Sequence, residues 1–363
     1  MSQSIVVVGG GPAGLASAIA LKRKIPEVSL TILEQSHYDQ FRPGETVPNR
    51  FGQLLQQLQL FESFKSQNHW PAHGKRILWS GQGQIQESIF EQEGMGWHLS
   101  RPAFEHWLIK IAENLGVILH NGVFGTAITK AESDWKVQFS DDQGPYELSV
   151  DFLINATGHP NLFRKQKEIN TTKFDHLVAT YLIGDRVDEE TYTTIASATN
   201  GWWYHCNVRD QSIFAFFTDP EYLKSSQLMK WADFQSELPD DTSLTTSFEA
   251  VPQMIHPKWF NIIPHHSTSS GDRWLGVGDA VLRFDPLSGQ GIYKAFETGI
   301  WASYAIADYF NGDTLGLKKY DRIIASMTKS YLRFQEQFYG MVDQYDTGFW
   351  ERRSKLVDSA FAF

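Results

Sequence analysis

The chain opens with an unbroken β-branched run, Ile5 to Val8, which stops at glycines and gives way to the helical composition of Ala13 to Lys22. A second apolar run, Ser29 to Glu34, follows, so this segment predicts strand, helix and strand. Phe51 to Phe64 repeats Leu54, Leu55, Leu58 and Phe61 at helical spacing, and Arg101 to Leu115 does so with Phe104, Leu108, Ile111 and Leu115. Both predict amphipathic helices. From Phe174 to Thr218 the period shortens into pieces rich in Thr, Val, Ile and aromatics, broken at Gly184-Asp185 and Asn200-Gly201. That pattern predicts antiparallel sheet. Trp274 to Val277 reads as another buried strand, Gly291 to Phe310 as a long apolar helix, and Leu315 to Gln337 as a helix with a charged outer face. The tail after Tyr345 has no clear pattern. No internal repeat, low-complexity segment or Pro- or Ser-rich linker divides the chain, so its domains are expected to interleave.

At 363 residues the chain suits about two domains and can bury about three quarters of its unfolded surface. A single cysteine, Cys206, excludes an internal disulfide framework and finger-type zinc clusters, and it reads most simply as a small buried residue. Net charge is -10, from 32 basic and 42 acidic residues, and no Lys or Arg run is long enough to track a phosphate backbone. Nucleic acid is therefore not an expected partner. Aromatics make up 14% of the chain, with 12 Trp and 25 Phe, which suits a globular protein that stacks on a planar ligand. Ile5 to Leu21 is apolar and uncharged, but four glycines and Pro12 interrupt it and nothing basic precedes it. No membrane span and no targeting signal are expected, and the location expected is cytoplasmic.

Gly9-Gly10-Gly11-Pro12-Ala13-Gly14 fits G-x-G-x-x-G directly after a strand and directly before a helix. The first glycine makes the turn, the second lets backbone approach a pyrophosphate, and the third lets helix pack on strand. The helix start offers free N–H groups and the positive end of its dipole. Glu34 follows Gly14 by twenty residues, placed to accept hydrogen bonds from ribose hydroxyls and to repel a 2'-phosphate. A second strand-to-loop-to-helix junction comes late: Trp274 to Val277, Gly278-Asp279-Ala280, Asp285-Pro286-Leu287-Ser288-Gly289-Gln290-Gly291, then the long helix. Two such junctions can grip one extended cofactor twice, and FAD is long enough.

With these residues the sequence resembles the two-domain FAD-dependent monooxygenase superfamily. The resemblance implies an α/β fold in which a Rossmann-like FAD domain of the glutathione-reductase type interleaves with an antiparallel-sheet substrate domain, ending in a helical C-terminus. It implies FAD domain segments 1–70, 95–165 and 271–345, substrate domain segments 71–94 and 166–270, and a tail 346–363. Gly9, Gly11, Pro12, Ala13, Gly14, Glu34, Arg42, Arg101, Gly278, Asp279, Gly289, Gly291 and Ile292 would hold the cofactor. Ser100-Arg101-Pro102-Ala103-Phe104 with Leu108 is similar to the family's Arg-x-x-Phe-x-x-x-Leu helix. Asn155-Ala156-Thr157-Gly158-His159-Pro160-Asn161 with Arg164 resembles its Asp-Gly-x-x-Ser-x-x-Arg segment, with Thr157 and Asn161 in place of Asp and Ser. That departure, and the lack of a second G-x-G-x-x-G, point to slow reduction by NADPH alone, so the electron donor is either reduced nicotinamide or a separate flavin reductase.

Arg42-Pro43-Gly44-Glu45-Thr46-Val47-Pro48 matches a stretch seen both in flavin-dependent tryptophan halogenases and in LodB- and GoxB-like flavoproteins that mature cysteine tryptophylquinone in partner oxidases. Halogenases need a lysine to receive hypohalite; the aligned position here is Gly74, with Lys75 adjacent. Their Trp-x-Trp-x-Ile-Pro is Trp202-Trp203-Tyr204-His205-Cys206-Asn207 here, and Gly201-Trp202-Trp203-Tyr204, like Asp285-Pro286-Leu287-Ser288, is similar to the quinone-maturation group. The resemblance implies hydroxylation, through a flavin C4a-hydroperoxide, of a tryptophan in a precursor quinone-cofactor oxidase. Glu45, Trp203, His205 and Pro286 are the candidate catalytic residues, although a satisfied structural role is the plainer reading of His205. Trp202, Trp203 and Tyr204 alternate faces, so at least one is expected in the core and another lining a substrate cavity. His265-His266 lies without an acidic neighbour, and no metal site is expected. A halogenase, a small-molecule aromatic hydroxylase and an FAD-stabilised chaperone remain open alternatives.

Overall fold

The computed structural model describes residues 3–79, 83–87, 95–158, 169–186, 188–239, 242–250 and 257–355. Its β-branched opening run forms the central strand of a six-stranded sheet. The order is Ser270–Gly271, Trp274–Gly276, Phe152–Asn155, Ser4–Val8, Ser29–Leu33 and Ile118–His120. All pairs are parallel except the one with Ser270–Gly271. Strands from three distant parts of the chain thus meet, with Ile5 to Val8 and Phe152 to Asn155 buried as sheets covered on both faces require. The helices Pro12–Lys24 and Gly291–Phe310 cover one face, where Leu15, Ile19, Phe296 and Ile300 join Val7 and Ile154 in one core.

A seven-stranded sheet stands beside it, in the order Lys258–Ile262, Leu177–Asp185, Gln211–Thr218, Gly201–Val208, Tyr192–Ala198, Gly74–Leu78 and Gly83–Glu87. Both faces of its centre are buried, so the strand Leu177–Asp185 shows no polar alternation. One face packs under the helices around Trp231, Phe234 and Phe248. The other packs against Phe41, Leu287 and the C-terminal residues Tyr339, Phe349 and Trp350.

Two expectations need correction. The pattern Phe51 to Phe64 is not one helix but two, Phe51–Gln57 and Phe61–Lys65, because Gln59 adopts φ 50° and the Gln59 N–H turns back onto Gln56 O. A non-glycine residue in the left-handed region ends a helix without the usual sequence mark. The segment after Tyr345 also has structure: Gly348–Arg353 is helical, Phe349 and Trp350 are buried, and Arg353 pairs with Asp175 and Asp219. No helix among the described residues is long and apolar enough to cross a membrane.

Candidate functional site

The C-terminal ends of the parallel strands open onto a cleft of about 1000 Å³, the usual ligand position in such sheets. Gly9 sits at φ 110°, and a Cβ on Gly14 would lie 1.9 Å from Gly9 O, so these two glycines close the turn against the helix. A Cβ on Gly11 would meet nothing within 4 Å, which leaves its backbone open to the cleft. Pro12 and Ala13 line the same wall. Glu34 is buried at the end of the second strand; its Oε2 accepts from Gly10 N–H at 2.6 Å, and its Oε1 accepts from Ser36 N and Oγ and from Arg42 Nη2 at 2.8 Å. Oε2 therefore keeps the spare acceptor capacity. Burial works against the Glu34 charge, but the Ser36 and Arg42 hydrogen bonds prevail and hold its carboxyl below the usual range.

Arg42 and Arg101 both border the cleft, and between them lies Glu105, a buried carboxylate that the sequence pattern did not single out. Arg101 donates to Glu105 Oε1 and Pro43 O, while Arg42 Nη1 stands 3.7 Å from Glu105 Oε2. The late junction forms the opposite wall. Gly278 turns at φ 58°, and the Asp279 carboxylate receives Lys294 Nζ at 2.7 Å and Arg283 Nε at 3.1 Å. Burial opposes the Asp279 charge, yet the two cations hold its carboxyl down at about 2. Gly291 and Ile292 line the cleft as the long helix begins, and a Cβ at Gly289 or Gly291 would meet nothing within 4 Å. Thr157 and Gly158 also border it; His159, Pro160, Asn161 and Arg164 lie outside the described residues.

Glu45 is buried, and its Oε1 has no hydrogen-bond partner among the described residues. Burial pushes its carboxyl up to about 7 against the pull of backbone N–H groups and Arg101. It lies close enough to Tyr181, Tyr204 and Cys206 to oppose their ionisation. Next to it, Thr46 Oγ1 is 2.8 Å from both His98 Nδ1 and Tyr204 OH, and His98 Nε2 is 3.0 Å from Thr191 O. A carbonyl only accepts, so Nε2 of the neutral ring carries the proton and Nδ1 accepts from Thr46, while Tyr204 OH donates to Cys206 Sγ at 3.1 Å. This ordered chain pins the Glu45 segment to the second sheet. Nothing in the local pattern at His98 signalled it.

Trp203 and His205 are not brought to the cleft, which corrects their candidacy. Strand alternation puts both on the far, helix-covered face: Trp203 Nε1 donates to Glu237 O at 2.7 Å, and His205 stacks on Phe214 with Nε2 3.0 Å from Ser212 Oγ. Burial lowers the His205 imidazole to about 4, so it stays neutral. Trp202 faces the other way, donating to Tyr339 OH, which in turn donates to Asp285 Oδ2. Pro286 follows Asp285 in a single turn capped by the Asp285 side chain, half-buried and outside the cleft wall. Gly74 is buried and Lys75 exposed, one strand from the sheet edge. No cluster of metal-ligating side chains occurs among the described residues.

A glycine turn open to a cleft, an acid at the second strand end, and a second helix start with an ion-paired aspartate define a flavin-dinucleotide oxidoreductase. The chain belongs to the FAD binding domain family, which matches residues 2–334. It is similar to the FAD-dependent oxidoreductase LodB of Marinomonas mediterranea, with 26% identity over 362 residues and 97% of each chain covered. Among solved structures it shares the fold of CmlS, a flavin-dependent halogenase, at TM-score 0.86 and 19% identity over 97% of this chain and 68% of that one. It also shares the fold of QhpG, a peptidyl tryptophan dihydroxylase essential for tryptophylquinone cofactor biogenesis, at TM-score 0.75 and 21% identity over 98% and 79%.

Proposed function

We propose that this FAD-dependent oxidoreductase hydroxylates a tryptophan side chain of a partner protein, a precursor of a quinone-cofactor oxidase, during cysteine tryptophylquinone biogenesis. The observation that carries oxygen transfer over halogenation is the strand Gly74–Leu78: Gly74, which the sequence resemblance aligns with the halogenase lysine, is buried, and the neighbouring Lys75 is exposed. The choice of a protein-bound tryptophan is supported by the LodB and QhpG likenesses.

Bound FAD, once reduced, supplies activated oxygen, chemistry that belongs to the cofactor. The chain's own part is holding and shielding. Gly11 and the helix start at Pro12 would hold the pyrophosphate, Glu34 the ribose, Asp279 with Lys294 behind it the middle of the cofactor, and Gly289 to Ile292 the flavin edge. Phe41, Tyr181 and Phe260 form an aromatic wall beside the Glu45 segment, with ring centroids 5.4 to 6.3 Å apart, fit to hold an indole away from water. Glu45, titrating near 7, holds or releases a proton at Oε1 near this wall. Electrons come from reduced nicotinamide or a separate flavin reductase.

The test supplies a flavin reductant, isotopically labelled dioxygen and bromide together to the protein with a co-expressed precursor oxidase. Mass spectrometry of the target peptide is expected to show labelled oxygen and no bromine. A brominated indole that disappears in Lys75→Ala would establish the halogenase reading, which the adjacency of Lys75 to Gly74 favours. A precursor bound but never oxidised would leave a chaperone.

A further inference from the structure

We propose that the outer edge of the strand Lys258–Ile262 docks an extended, acidic segment of the partner protein by strand addition. The inference rests on the partner-protein reading above and names how that partner is held. This strand ends the seven-stranded sheet. It pairs with Leu177–Asp185 on one side, and among the described residues no strand pairs with its other side. Such an edge presents a row of backbone donors and acceptors, and natural edges of this kind are commonly blunted by proline, bulges or charge. Here the five residues contain no proline, and the only charge is that of Lys258.

The side chains on this edge suit an incoming strand. Trp259 is 44% exposed and borders a groove of about 660 Å³ with Leu223, Met229, Lys224 and Lys230. Met229 is 59% exposed, so a tryptophan and a methionine together offer an adaptable apolar seat. The charge of the seat runs against that of the whole chain. The protein carries a net charge of -10, yet Lys224 and Lys230 both line this groove. The acid in the groove, Asp233, is committed through Oδ2 to the Met229 and Lys230 N–H groups at 3.0 and 2.8 Å. The occupant that complements this surface is an acidic peptide.

Alternation along the strand links the seat to the chemistry. Lys258 and Phe260 lie on the opposite face from Trp259: Lys258 Nζ is 5.2 Å from the Phe41 ring, and Phe260 is 5.4 Å from Tyr181. Phe41 directly precedes Arg42, a residue of the cleft wall. An added strand therefore sets one row of side chains into the Trp259 groove and the other beside the aromatic wall. Ladder register selects which tryptophan arrives there.

The experiment uses the full chain with FAD bound and fluorescence anisotropy. The probe is a fluorescein-labelled peptide in which aspartates alternate with valines around one central tryptophan. Expected is binding that weakens at least about thirtyfold in W259A and about tenfold in K224E/K230E, at flavin content equal to the parent. An otherwise identical peptide N-methylated at alternate residues, and one with lysines replacing aspartates, are expected to bind at least about tenfold more weakly than the probe. No binding of the probe, equal binding of the methylated or lysine peptide, or an undiminished affinity in W259A overturns the proposal. Self-association of the chain that W259A abolishes would also overturn it, since the edge would then belong to a second copy. Labelled oxygen in the precursor's tryptophan separates the two readings: incorporation at the parent rate in W259A removes the docking edge and keeps the hydroxylase. Absence of incorporation with Trp259-dependent probe binding removes the hydroxylase and keeps the edge.

Discussion

Lys294 donates a 2.7 Å hydrogen bond to Asp279 Oδ1 from a position that is itself 1% exposed, so the cofactor cleft carries a buried ammonium opposite the Glu34 wall. Lys294→Met leaves Asp279 with Arg283 alone. Because the aspartate keeps 35% of its side chain exposed, the expected cost is about 2 kcal/mol, below the roughly 3–5 kcal/mol of a sealed pair. The Asp279 carboxyl is depressed, so this contribution is present above its ordinary range of 3.8 and lost as pH falls toward about 2. Denaturant unfolding of both proteins across that window checks the sign, and the flavin-to-protein absorbance ratio is expected to fall in the variant.

Gly11 and Gly14 are expected to fail differently when a side chain is added. A Cβ at Gly14 would meet Gly9 O at 1.9 Å, so Gly14→Ala is expected to lose both thermal stability and flavin. The space beside Gly11 is open, so Gly11→Val is expected to fold at nearly the melting temperature of the flavin-stripped parent while losing the yellow colour. Calorimetry beside the absorbance spectrum distinguishes the two; a yellow Gly11→Val protein would remove this loop from the pyrophosphate site.

Glu45 is expected to impose a pH step on turnover with its midpoint near 7, and Glu45→Gln to abolish the step. The same group affects stability in a defined direction. Its folded carboxyl is raised from 4.5 to about 7, so the folded state retains a proton that the unfolded chain releases in that interval. Parent stability relative to Glu45→Gln therefore falls as pH rises through the interval, which parallel urea titrations measure.

Arg353 is expected to be the costliest single residue of the C-terminal helix. Its guanidinium is 1% exposed and meets Asp175 at 2.6 Å and Asp219 at 2.8 Å, so Arg353→Met strands Asp175 and leaves Asp219 with Arg352 alone. The expected loss is about 3–5 kcal/mol. Asp175→Asn combined with Arg353→Met should recover part of it in a double-mutant cycle.

What was legible in the sequence was local. The glycine turn, the helix after it and Glu34 twenty residues on all lie within one strand-helix-strand unit, and the late Gly-Asp junction repeats the same logic. Lys294 and Glu105 were not legible, because a charge on a helix reads as a solvated face until a partner from elsewhere covers it. Alternation predicted that Trp202 and Trp203 would face opposite ways. What each one meets depends on the layers packed on the sheet: Tyr339 lies over Trp202 on one side and Phe248 over Trp203 on the other, so both are core residues. The helix Gly348–Arg353 spans fewer than two turns, too short for periodicity to register.

The placement of Ser4–Val8 at the middle of its sheet has a consequence for synthesis. Its neighbour on one side, Phe152–Asn155, is made nearly 150 residues later, and Trp274–Gly276 later still. At about 5–20 residues per second, the first strand waits on the order of ten seconds on the ribosome with an apolar edge unpaired. The second wall of the cofactor cleft does not yet exist during that time. FAD capture is thus a late event that follows the pairing of these strands rather than seeding it.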